Sequence, residues 1–143
     1  MNLALGIDVG SVTTKLAVVD GSDSLVASTC RRTEGRPMQA LQEGLRDIAR
    51  VLNGDERVAA VGTTGSARHL AAALVGADLA KNEITAHATG ALLHEPSVRT
   101  IIEIGGQDSK LILLEDGVVT DFAMNSVCAA GTGSFLDQQA HRL

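Results

Sequence analysis

Apolar positions Met38, Leu41, Leu45, Ile48 and Leu52 recur at alternating steps of three and four residues, which lines one stripe of an amphipathic helix. Pro37 suits the first turn of that helix, where its missing N–H leaves no helical partner wanting, and Asn53-Gly54 supplies a stop. The pattern then shortens. Val58 to Thr63 is an apolar run rich in Val, as in a buried strand, and it ends in Gly62-Thr63-Thr64-Gly65. Ser66 is placed to cap a helix through Leu74. Further helices are predicted from about Glu83 to Leu93, closed by Pro96, and from Ala129 to Leu143. Because it follows a helix, the Val58–Thr63 strand is expected to pair in parallel with the first strand of the chain.

Flanking these helices are two segments that match without gaps. Ile7-Asp8-Val9-Gly10-Ser11-Val12-Thr13-Thr14-Lys15 aligns with Ile102-Glu103-Ile104-Gly105-Gly106-Gln107-Asp108-Ser109-Lys110. Each reads apolar, acid, apolar, Gly, small residue, two variable positions, hydroxyl, Lys. Leu16-Ala17-Val18-Val19 continues the match against Leu111-Ile112-Leu113-Leu114. Both copies predict a strand, a Gly turn, a second strand, another Gly-containing turn and a third strand. So many ordered classes in one register favour duplication over chance. The predicted organisation is a first lobe over residues 1–97 and a second over 98–143. The second lacks a strand–helix pair equivalent to Arg57–Leu74, so the chain is expected to be an N-terminal piece of a longer protein.

Composition narrows the class. The 143 residues suit about one domain, long enough to bury a core without disulfide or metal staples. With 45% hydrophobic residues, 1% aromatic and neither Trp nor Tyr, that core must be built from Val, Ile, Leu and Ala. A net charge of −5 and an isoelectric point near 5.2 argue against nucleic-acid binding, which needs a cationic face. Arg31-Arg32 is the one adjacent basic pair and is expected to be solvated. No apolar run approaches bilayer-spanning length, and Met1 to Gly10 lacks the basic region and cleavage site of a secretory signal. Two cysteines, Cys30 and Cys128, make no disulfide framework. The expectation is a soluble cytoplasmic protein with no membrane and no nucleic-acid partner.

The turn after Asp8 has the chemistry of a phosphate clamp. Gly10 lets backbone N–H groups approach an anion, Ser11, Thr13 and Thr14 carry hydroxyl donors, and Lys15 can neutralise charge. Asp8, at a strand end, is placed to hold a hydrated Mg²⁺. An ordinary polar hairpin explains one such turn equally well. A second at Glu103, Gly105, Gly106, Gln107 and Asp108 favours a pair of clamps gripping a polyphosphate from two sides. Neither copy fits the other nucleotide loops, since Gly-x4-Gly-Lys-Ser/Thr is absent and Gly131-Thr132-Gly133 lacks a third Gly.

These clamps resemble the two phosphate segments of the actin/Hsp70/sugar-kinase superfamily. More narrowly, the chain resembles the ATP-dependent activators of 2-hydroxyacyl-CoA dehydratases and benzoyl-CoA reductases. That likeness rests on Gly6-Ile7-Asp8-Val9-Gly10-Ser11, Thr64-Gly65, Asn82-Glu83-Ile84-Thr85-Ala86-His87-Ala88, Ile104 through Lys110, and Met124-Asn125 followed by Cys128-Ala129-Ala130-Gly131-Thr132-Gly133. It implies an α/β actin-like (ribonuclease H-like) lobe with a mixed sheet, plus the truncated start of a second, duplicated lobe. It also implies a homodimer with one [4Fe-4S] cluster at the subunit interface, Cys128 supplying the first ligand of each subunit. ATP hydrolysis would then drive a low-potential electron to an acyl-CoA dehydratase or reductase component. Asp8 would hold Mg²⁺ through water, with Glu103, Gln107 and Asp108 as its partners in catalysis. Gly10, Ser11, Thr13, Thr14, Lys15, Gly105 and Gly106 would bind the nucleotide.

The chain departs from the family in three places. Glu103 stands where many relatives have Asp, a second cluster cysteine has no counterpart before Leu143, and the adenine-binding segment is absent. These 143 residues alone are therefore expected to be inactive and to bind ATP weakly. Cys30, in a predicted strand, reads as a buried thiol. A helix start favours a Cys128 thiolate. His87 lies four residues after Glu83 and reads as a surface pair, while His69, His94 and His141 show no metal spacing. Gln107 and Asp108 could orient an attacking water or merely hydrogen-bond within their turn. Two other functions stay open: a small-molecule, sugar-type kinase of the same superfamily, and a non-enzymatic nucleotide-dependent switch.

Overall fold

The structure, a computed structural model, describes residues 2–52, 55–125 and 131–143, in two units, Met1–Asn82 and Glu83–Leu143. The first holds β1 (Asn2–Val9), β2 (Thr13–Val19), β3 (Leu25–Arg32), α1 (Pro37–Val51), β4 (Arg57–Thr64), α2 (Arg68–Val75) and β5 (Leu79–Ala80). Its sheet has the order β3-β2-β1-β4-β5. The three opening strands are antiparallel, and β4 joins β1 in parallel, as a strand that follows a crossover helix must.

Strand alternation sets the core. Leu3, Leu5, Ile7 and Val9 of β1 and Leu16 and Val18 of β2 bury one face of the sheet beneath Leu41 and Ile48 of α1 and Ala71 of α2. Gly44 allows the close approach of α1: a Cβ there would lie 2.6 Å from Leu16 Cδ1. Met38, at the start of the predicted stripe, is 53% exposed, in a shallow cleft with Leu70 and Leu74 of α2.

Several expectations need correction here. Arg31 is not simply solvated: its guanidinium reaches Asp47 at 2.6 Å and Glu43 at 2.8 Å, tying β3 to α1. Cys30 is exposed rather than buried, because alternation turns it to the sheet face opposite buried Ala27. Ser66 does not cap α2. The helix starts at Arg68 after Ala67, and the Ser66 hydroxyl instead meets the Val9 carbonyl at 3.4 Å. Two-residue β5 is too short to leave a periodic signal. The predicted stop at Asn53-Gly54 lies outside the described residues, with α1 ending at Val51.

The second unit comprises α3 (Glu83–His94), β6 (Thr100–Ile104), β7 (Ser109–Glu115), β8 (Val118–Met124) and α4 (Gly133–Ala140). The three strands form an antiparallel sheet in chain order. The structure repeats the sequence duplication: Asp8 pairs with Lys15 across β1–β2, and Glu103 with Lys110 across β6–β7. The buried face is nevertheless inverted. Leu16 and Val18 are buried, whereas their counterparts Leu111 and Leu113 are 39% and 38% exposed, and Lys110, Ile112 and Leu114 are buried instead. The cause is the covering helix. In the first unit α1 and α2 cover the Ile7 face, while in the second α3 covers the Glu103 face through Ala88, Ile84 and Leu92. No helix among the described residues is long and apolar enough to cross a membrane.

Candidate functional site

In the first hairpin the Gly10 N–H donates to the Thr13 carbonyl at 2.9 Å and closes the turn. Asp8, one residue from the end of β1, meets Lys15 Nζ at 3.4 Å, with the two side chains 30% and 55% exposed. An ion pair so open to water contributes little, about 0–1 kcal/mol, and Lys15 can leave it for an arriving anion at small cost. Ser11 is exposed at the tip and Thr13 is partly buried.

Thr14 is a correction. It lies on the opposite strand face from Lys15, is fully buried, and shares a 3.0 Å hydrogen bond with the Thr33 hydroxyl. Thr33 in turn donates to the Gly10 carbonyl at 2.8 Å. Thr14 therefore braces the turn from beneath and does not offer its hydroxyl to a phosphate.

The end of β4 completes this corner. Gly65 has φ +91°, and a Cβ there would come within 2.5 Å of both Asp8 Oδ1 and the Val9 carbonyl oxygen. Only glycine fits a left-handed backbone pressed so closely against the carboxylate.

The second hairpin repeats the turn, with the Gly105 N–H donating to the Asp108 carbonyl at 2.9 Å. A Cβ on Gly105 would lie 2.8 Å from Asp108 Oδ1 and 3.2 Å from Glu103 Oε1, so the carboxylates crowd its backbone. Here the lysine is committed. Lys110 is 3% exposed, and its ammonium reaches Glu83 at 2.8 Å, Asp108 at 2.9 Å and Glu103 at 3.0 Å. An ammonium has three donors, and each has a carboxylate. Burial alone would lower the Lys110 pKa, but the hydrogen bonds to Glu83, Asp108 and Glu103 outweigh it and raise the pKa well above the ordinary 10.5.

Glu83 and His87 thus do not form a surface pair with each other. Both face β6 and β7, Glu83 on Lys110 and His87 with Nε2 4.0 Å from Glu103 Oε1. Asp108 holds Lys110 as well as shaping the turn, and Gln107 is exposed. Helix α4 is bonded to this turn: Gly133 N–H donates to Gly105 O at 2.8 Å, Ser134 N–H to Gly106 O at 3.1 Å and the Thr132 hydroxyl to Gly106 O at 3.0 Å.

Sequence reasoning missed Glu83, Lys110 and Thr132. The four-residue step from Glu83 to His87 marked a shared helix face, and the repeat marked Lys110. Neither revealed which face the covering helix would bury.

Among the described residues no group of three or more His, Cys, Asp or Glu side chains converges to hold a metal ion. A lone Asp8 suits a divalent ion that takes its remaining ligands from water and phosphate oxygens. Cys128 lies outside the described residues.

A mixed sheet entered by a Gly-turned hairpin, followed by a second copy of that hairpin, defines the actin-like ATPase fold. The structure of the activator of 2-hydroxyisocaproyl-CoA dehydratase from Clostridium difficile with bound ADPNP matches it with a TM-score of 0.79 and 33% identity. That match covers 97% of this chain and 51% of the other. The chain belongs to the BadF/BadG/BcrA/BcrD ATPase family, whose profile matches residues 5–143. It is 40% identical to the (R)-2-hydroxyglutaryl-CoA dehydratase activating ATPase of Acidaminococcus fermentans, over 97% of this chain and 53% of that protein. It is 38% identical to the activator of lactoyl-CoA dehydratase of Anaerotignum propionicum, over 97% and 53%. The chain spans about half the length of the curated relatives it matches.

Proposed function

We propose that this chain belongs to an ATP-dependent activator that couples ATP hydrolysis to delivery of a low-potential electron to a 2-hydroxyacyl-CoA dehydratase or related CoA-substrate enzyme. The observation that carries this reading is the same acid, glycine turn and lysine built twice in one register, at Asp8–Lys15 and at Glu103–Lys110. Ser11, Thr13 and Lys15 contribute contacts to phosphate from the first hairpin, whose turn Gly10 closes. In the second hairpin, whose turn Gly105 closes, Gly106 and Gln107 are the phosphate contacts, and Gln107 and Asp108 orient a water for hydrolysis.

Bound Mg²⁺ would neutralise phosphate charge, with Asp8 holding it through water. Three carboxylates around one ammonium make the second hairpin acidic, so it favours a metal-complexed nucleotide over a bare anion. Cys128 is this chain's thiolate toward a [4Fe-4S] cluster shared by two copies; such a cluster would supply the electron. The α4 hydrogen bonds to Gly105 and Gly106 link the turn to the segment that follows Cys128. The dimer, the cluster and cytoplasmic residence all belong to this proposal.

Anaerobic reconstitution of the full-length protein with iron and sulfide, followed by EPR and an ATP-hydrolysis assay, tests it. The expected result is a cluster signal lost in Cys128→Ser and hydrolysis at least about tenfold slower in Asp8→Asn. No cluster signal with Cys128 intact would defeat the electron-transfer half. Hydrolysis that requires a sugar or acyl acceptor would make the protein a kinase, and binding without hydrolysis would make it a switch.

A further inference from the structure

Thr64 ends β4 beside Asp8. The two are partners in the parallel β1–β4 register, so their side chains stand on the same sheet face, in a row that continues through Lys15. The Thr64 hydroxyl oxygen is buried and has no hydrogen-bond partner, the one such side-chain atom among the described residues. Its neighbours behave otherwise. Thr63, on the opposite face, is 4% exposed and donates to the Arg68 carbonyl at 3.0 Å. Thr14 and Thr33 bond each other, and Thr33 also bonds Gly10.

A buried hydroxyl left unpaired is destabilising, and such groups persist where something else provides the partner. The residues around Thr64 belong to the Asp8 corner. Gly65 holds the chain after Thr64 against the Asp8 carboxylate, and the Ala67 N–H and Ser66 hydroxyl bond the Val9 carbonyl at 3.0 and 3.4 Å. The corner of Asp8, Thr64 and Gly65 is thereby fixed to the hairpin turn.

We propose that Thr64 is a further binding residue of the Asp8 site, its hydroxyl donating to an oxygen of the bound nucleotide's phosphate chain or of a water ordered on it. This rests on the nucleotide reading above. The same hydroxyl makes the ligand-free protein less stable than it could be, so binding and stability respond to its removal in opposite directions.

Calorimetry of ADPNP with Mg²⁺ and thermal unfolding, both on the full-length protein, test this with Thr64→Val, which keeps the shape and removes the hydroxyl, and Thr64→Ser, which keeps the hydroxyl. The expected result for Thr64→Val is affinity reduced about tenfold with an unfolding midpoint, without nucleotide, equal to or above wild type. Thr64→Ser should bind within about threefold of wild type. Wild-type affinity in Thr64→Val overturns the proposal, as does a lowered midpoint or failure to fold, since either would make the hydroxyl structural. If Asp8→Asn weakens binding while Thr64→Val does not, the Thr64 role fails and the nucleotide reading stands. If wild type binds no ADPNP, both fail.

Discussion

An ammonium with three carboxylate partners and one with a single solvent-exposed partner behave differently although they occupy the same position in a repeat. Lys15 can be recruited by a ligand; Lys110 cannot leave without stranding Glu83, Glu103 and Asp108 beside one another. Replacing Lys110 by Met should therefore destabilise the second unit by about 2–4 kcal/mol, somewhat below the full cost for deeply buried partners because these carboxylates remain partly exposed. Folding raises the Lys110 pKa above 10.5, so its contribution is complete below pH 10.5 and is lost as pH climbs through the higher folded value. Urea unfolding of wild type and Lys110→Met should show a constant gap from neutral pH to about 10 that narrows only above it. A gap that closes between neutral pH and about 9 would mean that the ion pairs are not its source.

At the scale of elements, the apolar stripe of α1, the parallel strand β4 and both hairpins were legible because each is a local periodicity. What a periodicity does not encode is which face a helix arriving from elsewhere will cover. That is why Cys30 reads as buried but is exposed, why Thr14 reads as a phosphate ligand but braces a turn, and why Lys110 stays hidden behind its likeness to Lys15. It is also why Ile102, at 72% exposed, and Ile104, at 54%, stand open where their counterparts Ile7 and Val9 are buried. An apolar face of this kind binds hydrophobic dyes. The 143-residue chain should enhance the fluorescence of such a dye, and Ile102→Thr with Leu113→Thr should remove most of the enhancement. Undiminished fluorescence in the double variant would place the dye elsewhere.

For the molecule as a whole, the family was legible from strings that the fold then explains. Gly65 and Gly105 stand where backbone and carboxylate crowd together, a Cβ on Gly10 would lie 3.0 Å from the Thr13 carbonyl oxygen, and the acid–lysine spacing is the hairpin register itself. The central proposal is that each hairpin turn contacts nucleotide phosphate. Titration calorimetry of ADPNP with Mg²⁺ on the full-length protein, alongside Ser11→Ala in the first turn and Gln107→Ala in the second, measures it most directly. The account predicts affinity reduced about three- to tenfold by each change. Full affinity in either variant would contradict it.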